Sequence, residues 1–176
     1  WYFRGWTSAV RETEPYGVIK RMFAYRFDIH KTDKIADVRD KIRAGMAVAL
    51  EPDQADQVSR LLGFDLPDSL SLKTALESDS FREKAISYLI EYLRTISYEP
   101  TVMFLDDIHL ADDSSLDLID SLTEALPDSR LMIVCLARPS LFENRPGWGE
   151  GRKAHSFLEI RALSRLKSRA LVDEIL

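Results

Sequence analysis

The sequence predicts an α/β fold built on a parallel sheet, and three stretches predict it. The run TVMFL, Thr101 to Leu105, is β-branched and apolar, the composition of a strand buried on both faces. A second run, RLMIVCLA from Arg130 to Ala137, is equally apolar. Between them Leu116, Ile119, Leu122 and Leu126 recur at the spacing of one helix face and stop at Pro127. Strand, helix and strand of these lengths form a βαβ unit, whose right-handed crossover places both strands in one parallel sheet.

The remaining elements follow in chain order. Trp1 to Trp6 alternates large aromatics with smaller or polar residues and reads as a strand that Gly5 brings to an end. Pro15 suits the first turn of a helix over about 16–27. From Lys34 the pattern is helical but interrupted: Val38, Ile42, Met46 and Leu50 share a face, and EPDQ restarts a helix that stops near Gly63. The stretch SFRE, Ser80 to Glu83, has the form of a capping box for a helix reaching about Ser97 and burying Phe81, Ala85, Leu89, Leu93 and Ile96. Pro100 blocks continuation before TVMFL. Asp112 can cap the helix that follows. Arg138 to Lys153 carries Pro139, Pro146 and three glycines and reads as irregular backbone. SFLEIRAL, Ser156 to Leu163, reads as another strand, with a helix starting near Ser164.

Composition bounds the function. A chain of 176 residues can bury one sizeable core, and its apolar and charged fractions are those of an ordinary globular domain. A formal net charge of -5 gives no basic face for a nucleic-acid backbone, so no direct nucleic-acid contact is expected. Cys135 is the single cysteine and reads as a small buried hydrophobe in a reducing compartment. No run approaches the ~20 apolar residues that cross a bilayer, so no membrane partner and a cytoplasmic location are expected. The opening Trp1 in a strand-like stretch leads to the expectation that the chain is a piece of a longer polypeptide.

The chemistry gathers where TVMFL runs into Asp106 and Asp107. In parallel sheets ligands sit beyond the carboxyl ends of the strands, where loops and helix N-termini converge. An apolar strand ending in two acids suits a metal-nucleotide site: one carboxylate holds the hydrated Mg²⁺ and its neighbour polarises an attacking water. Arg138, after the next strand, would leave the same edge, and its planar fork suits a γ-phosphate. Alternatively, acids after a strand merely cap the next helix. A dedicated cluster of Asp106, Asp107, His109, Asp112 and Asp113 is disfavoured because only one histidine is available there. His109 reads as a hydrogen-bonded loop residue, and Asp112 and Asp113 as helix-start residues favoured by the dipole. GWGEGRK, Gly147 to Lys153, lacks a following helix pattern and reads as a flexible surface loop. No nucleophile elbow occurs, and no glycine is followed by lysine, so the phosphate loop G-x-x-x-x-G-K-[ST] is not in this sequence. The expectation is that it lies upstream.

The stretch VMFLDDIHLADDSSLDLIDSL resembles the second nucleotide motif of the STAND-type ATPases, a branch related to the AAA+ group of P-loop NTPases. EPYGVIKRMF, LARPSLFENRPGWGEG and LEIRALSRLKSRALVDEIL extend the likeness over nearly the whole chain. The ARPSLFENRPGWGEG segment is most similar to ATPase modules that follow class III adenylate/guanylate cyclase domains in bacterial multidomain regulators, and similar modules occur in large transcriptional activators. The resemblance implies a three-layer α/β/α core over 1–163 with sheet order 5-1-4-3-2, strand 1 lying outside the chain. It also implies a helical insertion over about 31–78 and the start of a helical subdomain over 164–176. ATP and Mg²⁺ are implied as ligands: Asp106 would bind the metal, Asp107 would be the catalytic acid and Arg138 would sense the γ-phosphate. Leu110 stands where a Trp is usual, and Asp107 is one methylene shorter than the Glu of efficient ATPases, which implies slow turnover or a nucleotide-held switch.

The expected function is therefore part of an ATP-binding or ATP-hydrolysing signal-transduction switch. It would regulate an attached cyclase or other effector, with neighbouring domains (cyclase, helical repeats) and further copies of the chain as expected partners. The alternatives are a non-catalytic interaction scaffold derived from an ATPase fold, and the equivalent module of a transcriptional activator. A two-metal nuclease or phosphatase would need more acids at other strand ends than the sequence supplies.

Overall fold

A computed structural model describes residues 1–7, 14–64, 78–152 and 154–175. Its centre is a three-stranded sheet of β1 (Tyr2–Trp6), β2 (Thr101–Asp106) and β3 (Leu131–Cys135) in the order β1-β2-β3. All pairings are parallel, with Phe3 beside Met103 and Met103 beside Ile133. Helices flank this parallel sheet, so the class is α/β, in line with α/β/α layering. The order is that of strands 2, 3 and 4 within 5-1-4-3-2.

One sheet face makes the core. Phe3, Met103 and Leu105 are fully buried there, and α1 (Gly17–Arg26) lays Val18, Ile19, Met22 and Phe23 across them. The rings of Phe3 and Phe23 meet edge to face at 5.8 Å, a geometry that adds to the area they bury. Gly5 does not end β1, as the sequence suggested, but sits inside it, because helix and sheet close at that point. A Cβ on Gly5 would lie 2.9 Å from Leu105 Cδ2 and 3.0 Å from the Val18 carbonyl oxygen.

The opposite face is less covered. Tyr2, Trp6 and Met132 are exposed there and Val102, Phe104 and Val134 half-buried, so β2 and β3 are not buried on both sides as their composition suggested. Strand alternation explains it: odd-numbered residues of β2 face the core, even-numbered ones the less covered side.

The helices that join β1 to β2 follow the expected pattern with shifted caps. α2 (Ile35–Met46) buries Ile42 and Met46. α3 (Pro52–Leu61) begins with a reciprocal box between Glu51 and Gln54, and Gly63 at φ 72 follows its end. α4 (Asp79–Ile96) is capped by Ser78, which accepts the Phe81 N–H, rather than by Ser80. Ser78 leaves Asp79 in the first turn, where the helix dipole favours an acid. α4 buries Ala85, Leu89, Tyr92, Leu93 and Ile96 and packs on α3, while Phe81 is only half-buried. Residues 65–77 of the insertion expected over 31–78 lie outside the described residues.

α5 (Asp113–Ala125) crosses between β2 and β3, as the βαβ reading requires. A short helix, α6 (Ser140–Asn144), interrupts the loop expected to be irregular, and buried Leu141 anchors it. Residues 156–163 form no strand and are exposed. A strand needs a neighbouring ladder, and the neighbour that the resemblance assigns to this segment is not among the described residues. α7 (Arg165–Ile175) starts where expected, its first turn held by Ser164 Oγ accepting the Lys167 N–H, but it buries no side chain. Among the described residues no helix is long and apolar enough to cross a membrane.

The close approach at Gly5 makes a prediction. Gly5→Ala should destabilise the fold by about 1–3 kcal/mol through overpacking, read as a lower urea midpoint at unchanged m value. An unchanged midpoint would mean that α1 can back away from the sheet at no cost.

Candidate functional site

The site grows from the last residues of β2. Asp106 closes the strand and is half-buried, and Asp107 follows in the left-handed conformation, at φ 56 and ψ 33. Asp is among the few residues other than Gly that adopt this region readily, because its short polar side chain limits the clash with its own backbone. The backbone here is pinned from both flanks. The Asp106 carbonyl accepts the Thr7 N–H at 3.2 Å, and the Asp107 carbonyl accepts Thr7 Oγ1 and the Leu110 N–H, each at 2.9 Å. On the other side the Ile108 N–H donates to the Leu136 carbonyl at 3.0 Å. Thr7 thus fixes the acid-bearing turn from β1, a role that sequence reading missed because its partner lies 100 residues away.

Arg138 reaches the same edge from β3. The Leu136 N–H donates to the Leu105 carbonyl at 2.8 Å, which carries the β2–β3 ladder one residue past the strand. Arg138 follows two residues later, exposed, and its carbonyl accepts the Leu141 N–H at the start of α6. Asp106, Asp107 and Arg138 therefore leave adjoining parallel strands at their carboxyl ends. Among the described residues neither the Asp106 carboxylate nor the Arg138 guanidinium has a hydrogen-bonded or ion-paired partner.

The other acids of the motif are occupied. Asp112 is buried and caps α5, and its carboxylate accepts four hydrogen bonds: Tyr16 N–H at 2.9 Å, Gly17 N–H at 3.0 Å, Ser115 N–H at 2.8 Å and Ser115 Oγ at 2.5 Å. Asp113 and Asp117 hold Arg145, at 3.1 and 2.6 Å, and Asp120 and Glu124 hold Arg152. These four acids form a stripe along α5 that clasps the loop after α6, and the Trp148 indole N–H reaches the Leu116 carbonyl between the two arginines. The segment expected to be a flexible surface loop is thereby tied down. Its glycines, at φ 78, 80 and 74, make successive turns without a helix to follow them, so no phosphate cradle forms.

Among the described residues no group of three or more His, Cys, Asp or Glu side chains is arranged to hold a metal. A Mg²⁺ that keeps most of its waters and shares phosphate oxygens needs only one or two carboxylates. The partly buried, unpaired Asp106 fits that requirement. His109 differs from expectation. Its ring is 94% buried by side-chain area, with Nδ1 buried and unpartnered, 3.8 Å from Asp107 Oδ1. Cys135 is half-buried, and its apolar surroundings push the thiol up to about 12, so it is no nucleophile at neutral pH.

Two predictions follow from this geometry. Asp112→Ala leaves the α1 donors unpaired and should cost about 3 kcal/mol of folding stability, measured by urea denaturation. Native Cys135 should react with iodoacetamide at pH 8 at least about a hundredfold more slowly than in urea, since only the thiolate attacks. Because the thiol pKa is raised in the fold, this group's contribution to stability is full below the ordinary thiol value of 9.0 and is lost as pH climbs from there towards about 12.

Comparison of the chain with family models, with curated proteins and with solved structures finds no match.

Proposed function

We propose that this chain is the metal-and-water side of an ATP-dependent signalling switch whose phosphate-gripping loop is supplied from elsewhere in the polypeptide. The observation that carries the reading is that Asp106 and Arg138, each without a partner among the described residues, leave the ends of adjoining parallel strands, with Asp107 following Asp106 in a left-handed turn. Capping does not account for the acid pair, because the duty of capping α5 falls on Asp112 and Asp107 makes no side-chain cap. Partial burial of the Asp106 carboxylate weakens its hydration, which favours the approach of a cation.

In this reading Asp106 holds the hydrated Mg²⁺ that would accompany ATP, and the metal would neutralise charge developing on the phosphates. Asp107, exposed beyond the strand, orients a water by accepting its hydrogen bond. Arg138 offers two N–H groups to phosphate oxygens. A change at Asp107 or Arg138 would pass to the neighbouring elements, because Thr7 ties the turn to β1 and α6 starts four residues after Leu136, which makes the last ladder bonds of β3. Nucleotide would then alter how neighbouring domains, such as a cyclase or another effector, rest on the less covered sheet face.

The test uses the complete polypeptide with its phosphate loop. Asp106→Ala should abolish Mg²⁺-dependent ATP binding, measured by calorimetry. Asp107→Asn should keep binding and lower turnover on the order of a hundredfold or more. Unchanged ATP affinity in the Asp106 variant would end this reading.

A further inference from the structure

His109 is the group in this region that the proposed chemistry leaves unused. It lies in the 3₁₀ turn Ile108–Leu110, directly after Asp107, and α6 packs on that turn. The side chain is 6% exposed, yet among the described residues Nδ1 has no hydrogen-bond partner. A buried donor left without an acceptor is costly, so such an atom calls for an explanation. The nearest carboxylate is that of Asp107, whose Oδ1 stands 3.8 Å away. That separation is too long for a hydrogen bond, and closing it takes about 1 Å of movement. The two partners differ in freedom: the Asp107 side chain is 54% exposed and can turn, whereas the ring is enclosed.

We propose that His109 is a positioning residue for Asp107, its enclosed Nδ1–H being the fixed donor that captures the Asp107 carboxylate and holds it in the orientation that aims a water. The proposal rests on the reading of Asp107 as the water-orienting acid and deepens it. The left-handed backbone at Asp107 sets the direction of its Cβ, and the Thr7 and Leu110 bonds to its carbonyl hold that backbone still, so the side-chain torsions are what remains free to close the gap. A short acid on a pinned turn needs such a guide, since a misplacement of about 1 Å in a catalytic group can cost on the order of a hundredfold in rate.

Two experiments separate this inference from the ATP reading. On the chain itself, imidazole-nitrogen NMR should show His109 as the Nδ1–H tautomer, and Asp107→Ala should move it towards the Nε2–H tautomer while His30 and His155 keep their signals. An Nε2–H tautomer in both proteins would overturn the pair. In the complete polypeptide, His109→Leu should lower kcat roughly ten- to a hundredfold with KM for ATP unchanged. His109→Asn, whose amide N–H stands near the Nδ1 position, should restore most of that loss. Equal loss in the Leu and Asn variants, or KM and melting temperature changing together with kcat, would mean a merely structural histidine and overturn the proposal. Should the complete polypeptide bind no ATP, the function proposed above falls, while the tautomer measurement still decides the His109–Asp107 pair.

Discussion

The Asp112 carboxylate joins two parts of the chain that lie 96 residues apart in sequence. α1 has no cap of its own: Tyr16, in the N-cap position, is left-handed and offers no side-chain acceptor. Asp112 supplies the missing acceptor from the turn after β2 and caps α5 with the same group. Two helix N-termini thus share one buried anion, whose charge is balanced by both dipoles and four donors rather than by a cation. Without it, unpaired N–H groups would remain inside the fold, and burying such groups is among the larger penalties a protein can incur.

This linkage also explains why the site has its shape. Asp112 draws the end of the 108–112 turn towards the start of α1, while Thr7 draws the beginning of the same turn towards the end of β1. The turn bearing Asp107 is stretched between these anchors, and the Ile108 N–H bond to Leu136 fixes it against β3. A left-handed residue is tolerated where surrounding bonds determine the path so fully. The clasp of Arg145 and Arg152 on the acidic stripe of α5 likewise holds the loop that follows α6. Individually such exposed ion pairs contribute little, but this set is a network that shares one helix face.

How far this was legible in the sequence depends on how local each signal is. β2, α5 and β3 were readable because composition and period act within ten residues or so, and Asp112 was readable as a cap because its Ser115 partner is three residues away. The rest of what Asp112 does was not, nor was the role of Thr7, since those bonds join residues brought close only by folding. The stripe Asp113, Asp117, Asp120 and Glu124 has a helical period that could have been noticed, but its arginine partners lie 28 or more residues on. The strand expected over 156–163 shows the converse error. Its composition suits a strand, yet strand formation requires a ladder partner, and composition carries no information about that.

The left-handed turn also bears on the identity of residue 107. Asp and Asn are enriched in this region because a short polar side chain can hydrogen-bond locally, whereas a longer side chain gains no such compensation. A Glu at 107 would add a methylene and a rotatable bond, so the pinned backbone would fix the position of its carboxylate less closely. The shorter acid and the buried histidine therefore suit each other: the turn fixes where the side chain starts, and the ring offers one place for it to end. On this geometry a short acid at 107 follows from the turn itself, since Asp adopts the left-handed backbone more readily than a longer acid does.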